Sequence, residues 1–197
     1  MAAILSWLAT IGVLVTSAGL LLNREWRRDL GLLALQYAGA SILIAQHLPV
    51  GIAAAKVVTG WMATAILGMT LSALPPQFEL SDQFWPRGRT FRIFMVGMIV
   101  VLTIAVTPSI ETAIPGLGLP VIAGGILLIG IGFLQLGTNS EIVRVIYALM
   151  TLLTGFEILY AGVESSILVA ALLAVVTLGL GLVGAYLFNA SASEEHQ

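Results

Sequence analysis

The chain has 197 residues, 59% of them hydrophobic and only 9% charged, with a formal net charge of −2 and a mean hydropathy of +1.05. Soluble domains carry about a quarter charged residues, so this balance points to a lipid bilayer and, with no basic tract, away from nucleic acid. Cysteine is absent, which excludes disulfides, iron–sulfur clusters and thiolate metal sites; no cofactor is expected, and redox chemistry would have to lie in another chain.

A helix needs about 20 apolar residues to cross the hydrocarbon. Charges, prolines and glycines divide the chain into seven such candidates: 3–22, 30–46, 51–74, 91–110, 119–137, 141–162 and 166–189. The first, "MAAILSWLATIG", lacks a basic leader and reads as a membrane helix rather than a cleaved signal. The connectors "NREWRRD", "HLPVG", "GTNSE" and "GVESS" are short, so the spans they join are antiparallel hairpins. "PPQFELSDQFWPRGR" is long enough for an ordered surface loop, and "TPSIETAIPGLGLP" reads as a turn on the other face. Arg24, Arg27, Arg28, Arg87, Arg89, Arg92 and Arg144 then all fall in or beside loops on one side. By the positive-inside tendency that side is cytoplasmic, with the N-terminus external and the tail "SASEEHQ" cytoplasmic. These arginines read as topology and headgroup anchors, with Trp26 and Trp85 at the same interface.

The sequence also matches itself at an offset of 116. Asn23, Glu25 and Arg28 fall on Asn139, Glu141 and Arg144, while Gly39 falls on Gly155 and Gly68 on Gly184. The expected fold class is therefore an all-α polytopic membrane protein of about seven helices in a single membrane domain. Repeat one covers 1–74, the loop and linker helix 75–116, repeat two 117–190 and the tail 191–197. The linker helix makes the two three-helix units parallel, and a rotation about an axis near the membrane normal is expected to relate them.

Two charges interrupt the apolar spans. Glu157, in "TLLTGFEILYAGV", and Lys56, in "GIAAAKVVTGW", both lie about five residues, or roughly 7 Å, inside the same face. Acids within a membrane mark ion or proton paths, and a buried carboxyl is suited to exchanging a proton. Glu157 can equally be a structural acid, and Lys56 can snorkel to the headgroups. Their equal depth also allows a buried ion pair between the two units, with Thr154, Tyr160 and Ser41 as candidate polar neighbours. Thr59 and Gly60 share the Lys56 face, a stripe suited to helix packing. "GIG" and "GLG" sit within spans, with no preceding strand, and are not nucleotide loops. The histidines, His47 and His196, lack ligand spacing; neither a metal site nor a nucleophile–base pair is visible.

A polar, arginine-bearing turn followed by a helix with "GFEIL" (Gly155 to Leu159) resembles the small K-type membrane subunit of bacterial NADH-quinone oxidoreductase. The longer form, with "RRDLGLLALQYAGASILIAQHLPVGIAAAKVVTGW" ahead of it, resembles the E-type membrane subunit of hydrogenase-4 complexes. The chain is also similar in this respect to the C-type membrane subunit of multisubunit cation/proton antiporters. The resemblance implies a non-catalytic subunit of a complex I-like or hydrogenase-like assembly in a bacterial or archaeal-type inner membrane, with other membrane subunits as partners and a role in proton translocation. The departures bear on that role. The family's second acid would fall near Val175–Thr177, where none stands; Ser41 occupies the repeat position of Glu157; and Arg144 lies about one turn further from Glu157 than usual. The alternatives are a self-contained small transporter and a structural scaffold of another respiratory or photosynthetic complex.

Overall fold

The computed structural model describes residues 2–23, 25–73, 88–139, 141–164 and 166–194. These form seven helices: α1 (Ala2–Leu22), α2 (Trp26–Ile44), α3 (Val50–Ala73), α4 (Arg89–Ala113), α5 (Leu119–Thr138), α6 (Ile142–Val163) and α7 (Ile167–Glu194). Six of them are long and apolar enough to cross a membrane, which makes this a helical, multi-pass membrane architecture. The seventh, α2, has 19 residues and carries Arg27, Arg28 and Asp29 at its start. Arg24, Arg87, Trp85, His196 and nearly all of the surface loop expected at "PPQFELSDQFWPRGR" lie outside the described residues.

Helix ends fall close to the spans read from the sequence, with one clear difference. The stretch "TPSIETA" is helical, and α4 runs through Pro108 to Ala113. A proline inside a helix deprives one carbonyl of its N–H partner, but threonine hydroxyls can take up backbone groups near such a site. Thr107 Oγ1 donates to the Thr103 carbonyl at 2.6 Å, in the turn beside the proline. The chain reverses only afterwards, where Gly116 (φ 98°) and Gly118 (φ 81°) adopt the left-handed conformation open to glycine. The Glu111 carboxylate accepts the Gly118 N–H at 3.0 Å and ties this turn to its own helix.

Consecutive helices pack as α1–α2–α3 and α5–α6–α7, and these two rows then lie against each other, α1 on α5, α2 on α6 and α3 on α7. Cross-row contacts fix the directions. Thr10 bonds the Pro120 carbonyl (2.9 Å) and Gln135 the Ser17 carbonyl (3.2 Å), so α1 and α5 run parallel. Gln36 meets Thr151 between α2 and α6, and Gly181 and Gly184 of α7 sit against Ala63 and Leu67 of α3. Pairing of like with like is what a sideways shift of one row produces. A half-turn about an axis along the helices would set α1 against α7 and α3 against α5, and neither of those pairs packs. A half-turn is therefore not the relation between the two rows. Helix α4 stands at the edge, against α5 and α1.

Small residues set the closest approaches, since in lipid it is packing rather than water exclusion that holds helices together. A Cβ on Gly155 would lie 2.8 Å from the Gly125 carbonyl, and one on Gly132 would lie 3.0 Å from the Leu152 nitrogen, so α5 and α6 meet backbone to backbone. Two buried clusters fill the space between the rows. Val13, Leu43, Val121, Leu128 and Ile158 form one; Leu33, Tyr37, Leu67, Met150 and Phe188 form the other.

Candidate functional site

At the end of the bundle that carries the interhelical turns Asn23–Glu25 and Asn139–Glu141, polar side chains secure the helix termini. Glu25 pairs with Arg28 at 2.9 Å and Glu141 with Arg144 at 3.2 Å, one ion pair at the same place in each turn. The two arginines then differ. Arg28 is exposed, whereas Arg144 is buried and its Nη1 donates to the Asn23 carbonyl at 3.1 Å. Arg92 likewise donates to the Leu21 carbonyl at 3.0 Å. Both guanidiniums therefore sit on unpaired carbonyls at the negative end of the α1 dipole. For Arg144 and Arg92 the anchoring role expected from the sequence becomes helix capping. Arg27 lies over the Trp26 ring at 5.2 Å, and Arg27 and Arg89 are exposed. Asp29, buried, accepts from the Asn23 side-chain amide at 3.0 Å.

From this end a polar stripe descends α6. Arg144, Tyr147, Thr151, Thr154 and Glu157 recur at helical spacing, and all five are buried. The stripe faces α2, where Gln36 donates to Thr151 at 3.3 Å, and it ends on Glu157.

There the structure brings Lys56 and Glu157 together. Each lies six residues inside its helix, Lys56 from Val50 at the start of α3 and Glu157 from Val163 at the end of α6, a depth of about 9 Å. The Lys56 ammonium bonds Glu157 Oε1 and forms an ion pair with Oε2. It also donates to Thr177 Oγ1 of α7 at 2.8 Å, and Thr177 lies 3.4 Å from the same Oε1. The three side chains are 7%, 4% and 0% exposed, so the lysine does not snorkel to an interface. Either charge alone at this depth would be costly; together they are neutral, and Thr177 adds a hydroxyl from the otherwise apolar α7 segment around it. The lysine also stands 5.5 Å from the centre of the Tyr37 ring, a cation–π contact. That ring fills the space over Gly60, where a Cβ would come within 2.3 Å of it.

The other candidates are nearby or apart. Thr154 is buried one turn along α6 and donates to the Met150 carbonyl at 2.7 Å. Tyr160, half-buried, stacks on Phe156 with centroids 6.0 Å apart. Ser41 donates to its own helix, at the Ala38 carbonyl, and contributes no contact to the pair. Thr177 and Tyr37 were not singled out in the sequence. Thr177 had a signal, being the sole hydroxyl between Ser166 and Tyr186 in an apolar run; Tyr37 had none. Among the described residues no group of acids and histidines has metal-site geometry. The arrangement can hold a neutralised charge pair within the helix bundle. No family model, no curated protein and no solved structure matches this chain.

Proposed function

We propose that this protein is a non-catalytic membrane subunit of a multisubunit assembly of the complex I or membrane-bound hydrogenase kind, in which the Lys56–Glu157 pair joins two three-helix units. The observation that carries the reading is the pair itself: one unit supplies the cation from α3, the other the anion from α6 and the threonine from α7. The equivalent positions, Leu172 for Lys56 and Ser41 for Glu157, are uncharged, so each unit alone would bury one unbalanced charge. The resemblance of "GFEIL" to the quinone-oxidoreductase family supplies the assembly. The missing second acid, with Thr177 in its neighbourhood, favours a structural role for the pair over a proton relay.

The same reading takes the two units as a duplication, with α2 as a seventh span. Three observations support it. Helix boundaries at an offset of 116 coincide within a few residues. The N–H of Asn23 bonds the Gly19 carbonyl as that of Asn139 bonds the Gln135 carbonyl. Each turn also carries its own Glu–Arg pair. In this reading the Asn23–Glu25 end is cytoplasmic. A reporter fused after Gln197 should then be cytoplasmic and one inserted at Gly116 external, and both reporting one side would remove the seven-span arrangement.

The assembly is tested by purifying the tagged chain from its native membrane in mild detergent and identifying co-purifying chains by mass spectrometry. Hydrogenase or quinone-reductase subunits in fixed proportion are expected. A monodisperse homo-oligomer without them would overturn the proposal in favour of a self-contained transporter.

A further inference from the structure

One buried acid takes no part in the Lys56–Glu157 pair. Asp29 stands in the first turn of α2, one residue ahead of the apolar span 30–46 read from the sequence, and is 2% exposed. An aspartate at a helix start beside a loop normally stays in water, and acids are almost never fully buried unless paired. Here the carboxylate accepts the Asn23 side-chain amide at 3.0 Å. Arg144 and Tyr147 face it from α6, and Glu25 from its own turn. Glu141 holds Arg144 from its other side, and Arg92 of α4 is occupied on the Leu21 carbonyl. Helix α3 bears no charge but Lys56, far from this end, and α5 bears none. Burial, with a smaller push from Glu25 and against the pull of the Asn23 amide and Arg144, raises the Asp29 carboxyl to about 6.

Asn23 couples this acid to the second row. Its side chain reaches Asp29, while its carbonyl accepts Arg144 Nη1 at 3.1 Å. Both bonds leave the same residue, so a movement of Asn23 that lets water onto Asp29 also draws its carbonyl from Arg144. Leu20 of α1 and Val143 of α6, both buried, pack in one cluster at this joint. The closed joint binds the proton more tightly than a carboxyl at the ordinary value of 3.8 does. Closure is therefore favoured most below 3.8, loses that advantage as the pH rises through about 6, and changes no further above it.

We propose that Asp29 is a proton-binding site that governs the joint between the two rows. With the proton bound, Asn23 stays under Arg144; with it released, the ends of α1 and α6 separate enough to hydrate the carboxylate. The proposal rests on the buried acid and its tie to Asn23, and holds whether or not the protein joins a larger assembly.

The test uses the full chain in lipid nanodiscs. An infrared titration should show a protonated-carboxyl band with a midpoint near 6, absent from Asp29→Asn. The chain has no cysteine, so Leu20→Cys and Val143→Cys each place a single thiol at the joint. Their reaction with a soluble pyridyl disulfide, corrected with a free thiol at each pH, should be at least about tenfold faster at about pH 7 than at about pH 4. Adding Asp29→Asn should hold both thiols at the slow rate, whereas Glu25→Gln should leave the pH dependence in place. Asp29→Glu keeps a carboxyl and should keep a pH dependence with a moved midpoint; it decides if the amide variant fails to fold. No titrating band, rates that ignore pH, a dependence at Leu20→Cys alone, one that survives in a folded Asp29→Asn chain, or an unmoved midpoint in Asp29→Glu would each overturn the proposal.

Discussion

Glu157→Gln is expected to destabilise the protein by about 3–5 kcal/mol, the range for breaking a buried pair while one charge stays behind. The amide keeps the shape of the carboxylate and can accept from Lys56 and Thr177, so packing is nearly unchanged and the loss comes from the uncompensated ammonium. That ammonium is almost fully buried, held beneath the Tyr37 ring and between α6 and α7, and would be left without a counter-charge. Lys56→Met in the same chain should therefore restore much of the stability, since it removes the orphaned charge and keeps the length of the side chain. The measurement is a double-mutant cycle on the unfolding of purified protein in a single detergent, with the yield of monodisperse protein as a second readout. Additive losses in the double variant would show that the two side chains do not act as a pair. A Glu157→Gln variant that folds and assembles normally but loses ion-coupled turnover would instead assign the carboxylate to a proton path. Full retention of both would leave the pair without either role.

How much of this was visible beforehand depends on what each residue contrasts with. Lys56 and Glu157 stood out because a charge inside an apolar run is rare, and counting from the span ends placed them at equal depth. Helix number and most boundaries were legible for a similar reason, as charges and turn residues punctuate the runs. What the sequence could not supply is which helix neighbours which. Lipid and protein core are equally apolar, so the buried Ile146 and Ile158 of α6 and its exposed Phe156 are the same kind of residue in the sequence. The pairing of α1 with α5, α2 with α6 and α3 with α7, the Tyr37 ring above Gly60 and the arrival of Thr177 at the pair all follow from that unseen adjacency. Arg144 was misread in part for a related reason: an arginine at a membrane edge usually contacts headgroups, and only the neighbouring end of α1 turns it into a cap on the Asn23 carbonyl. Pro108 misled in the opposite sense, suggesting a turn where the helix continues through the proline.

Gly155→Ala is expected to be the most damaging single-methyl change in the α5–α6 contact. The added Cβ would sit 2.8 Å from the Gly125 carbonyl, the Ile129 nitrogen and Leu128 Cβ. Two of those three atoms belong to the α5 backbone, so no side chain can swing aside and the helices must separate by several tenths of an ångström. Overpacking of this kind costs about 1–3 kcal/mol. Two glycines of the facing helix α5 provide the scale. At Gly124 the new methyl would meet Leu43 Cδ1 at 2.6 Å, the far end of a flexible side chain, so the effect should be smaller. At Gly137 nothing lies within 4 Å, and alanine's better helix propensity, worth up to about 1 kcal/mol, is the main effect left. Unfolding midpoints of the three variants in one detergent should therefore fall in the order Gly137→Ala, Gly124→Ala, Gly155→Ala, with only the first at or above the parent. Because Glu157 lies two residues beyond Gly155 on the same helix, moving α6 also draws the carboxylate from Lys56. Gly155→Ala should then weaken the coupling between Lys56 and Glu157 measured in the double-mutant cycle, while Gly124→Ala leaves it intact. Equal midpoints for Gly155→Ala and Gly137→Ala would mean that α5 and α6 do not approach this closely, and the position of Glu157 would need another support.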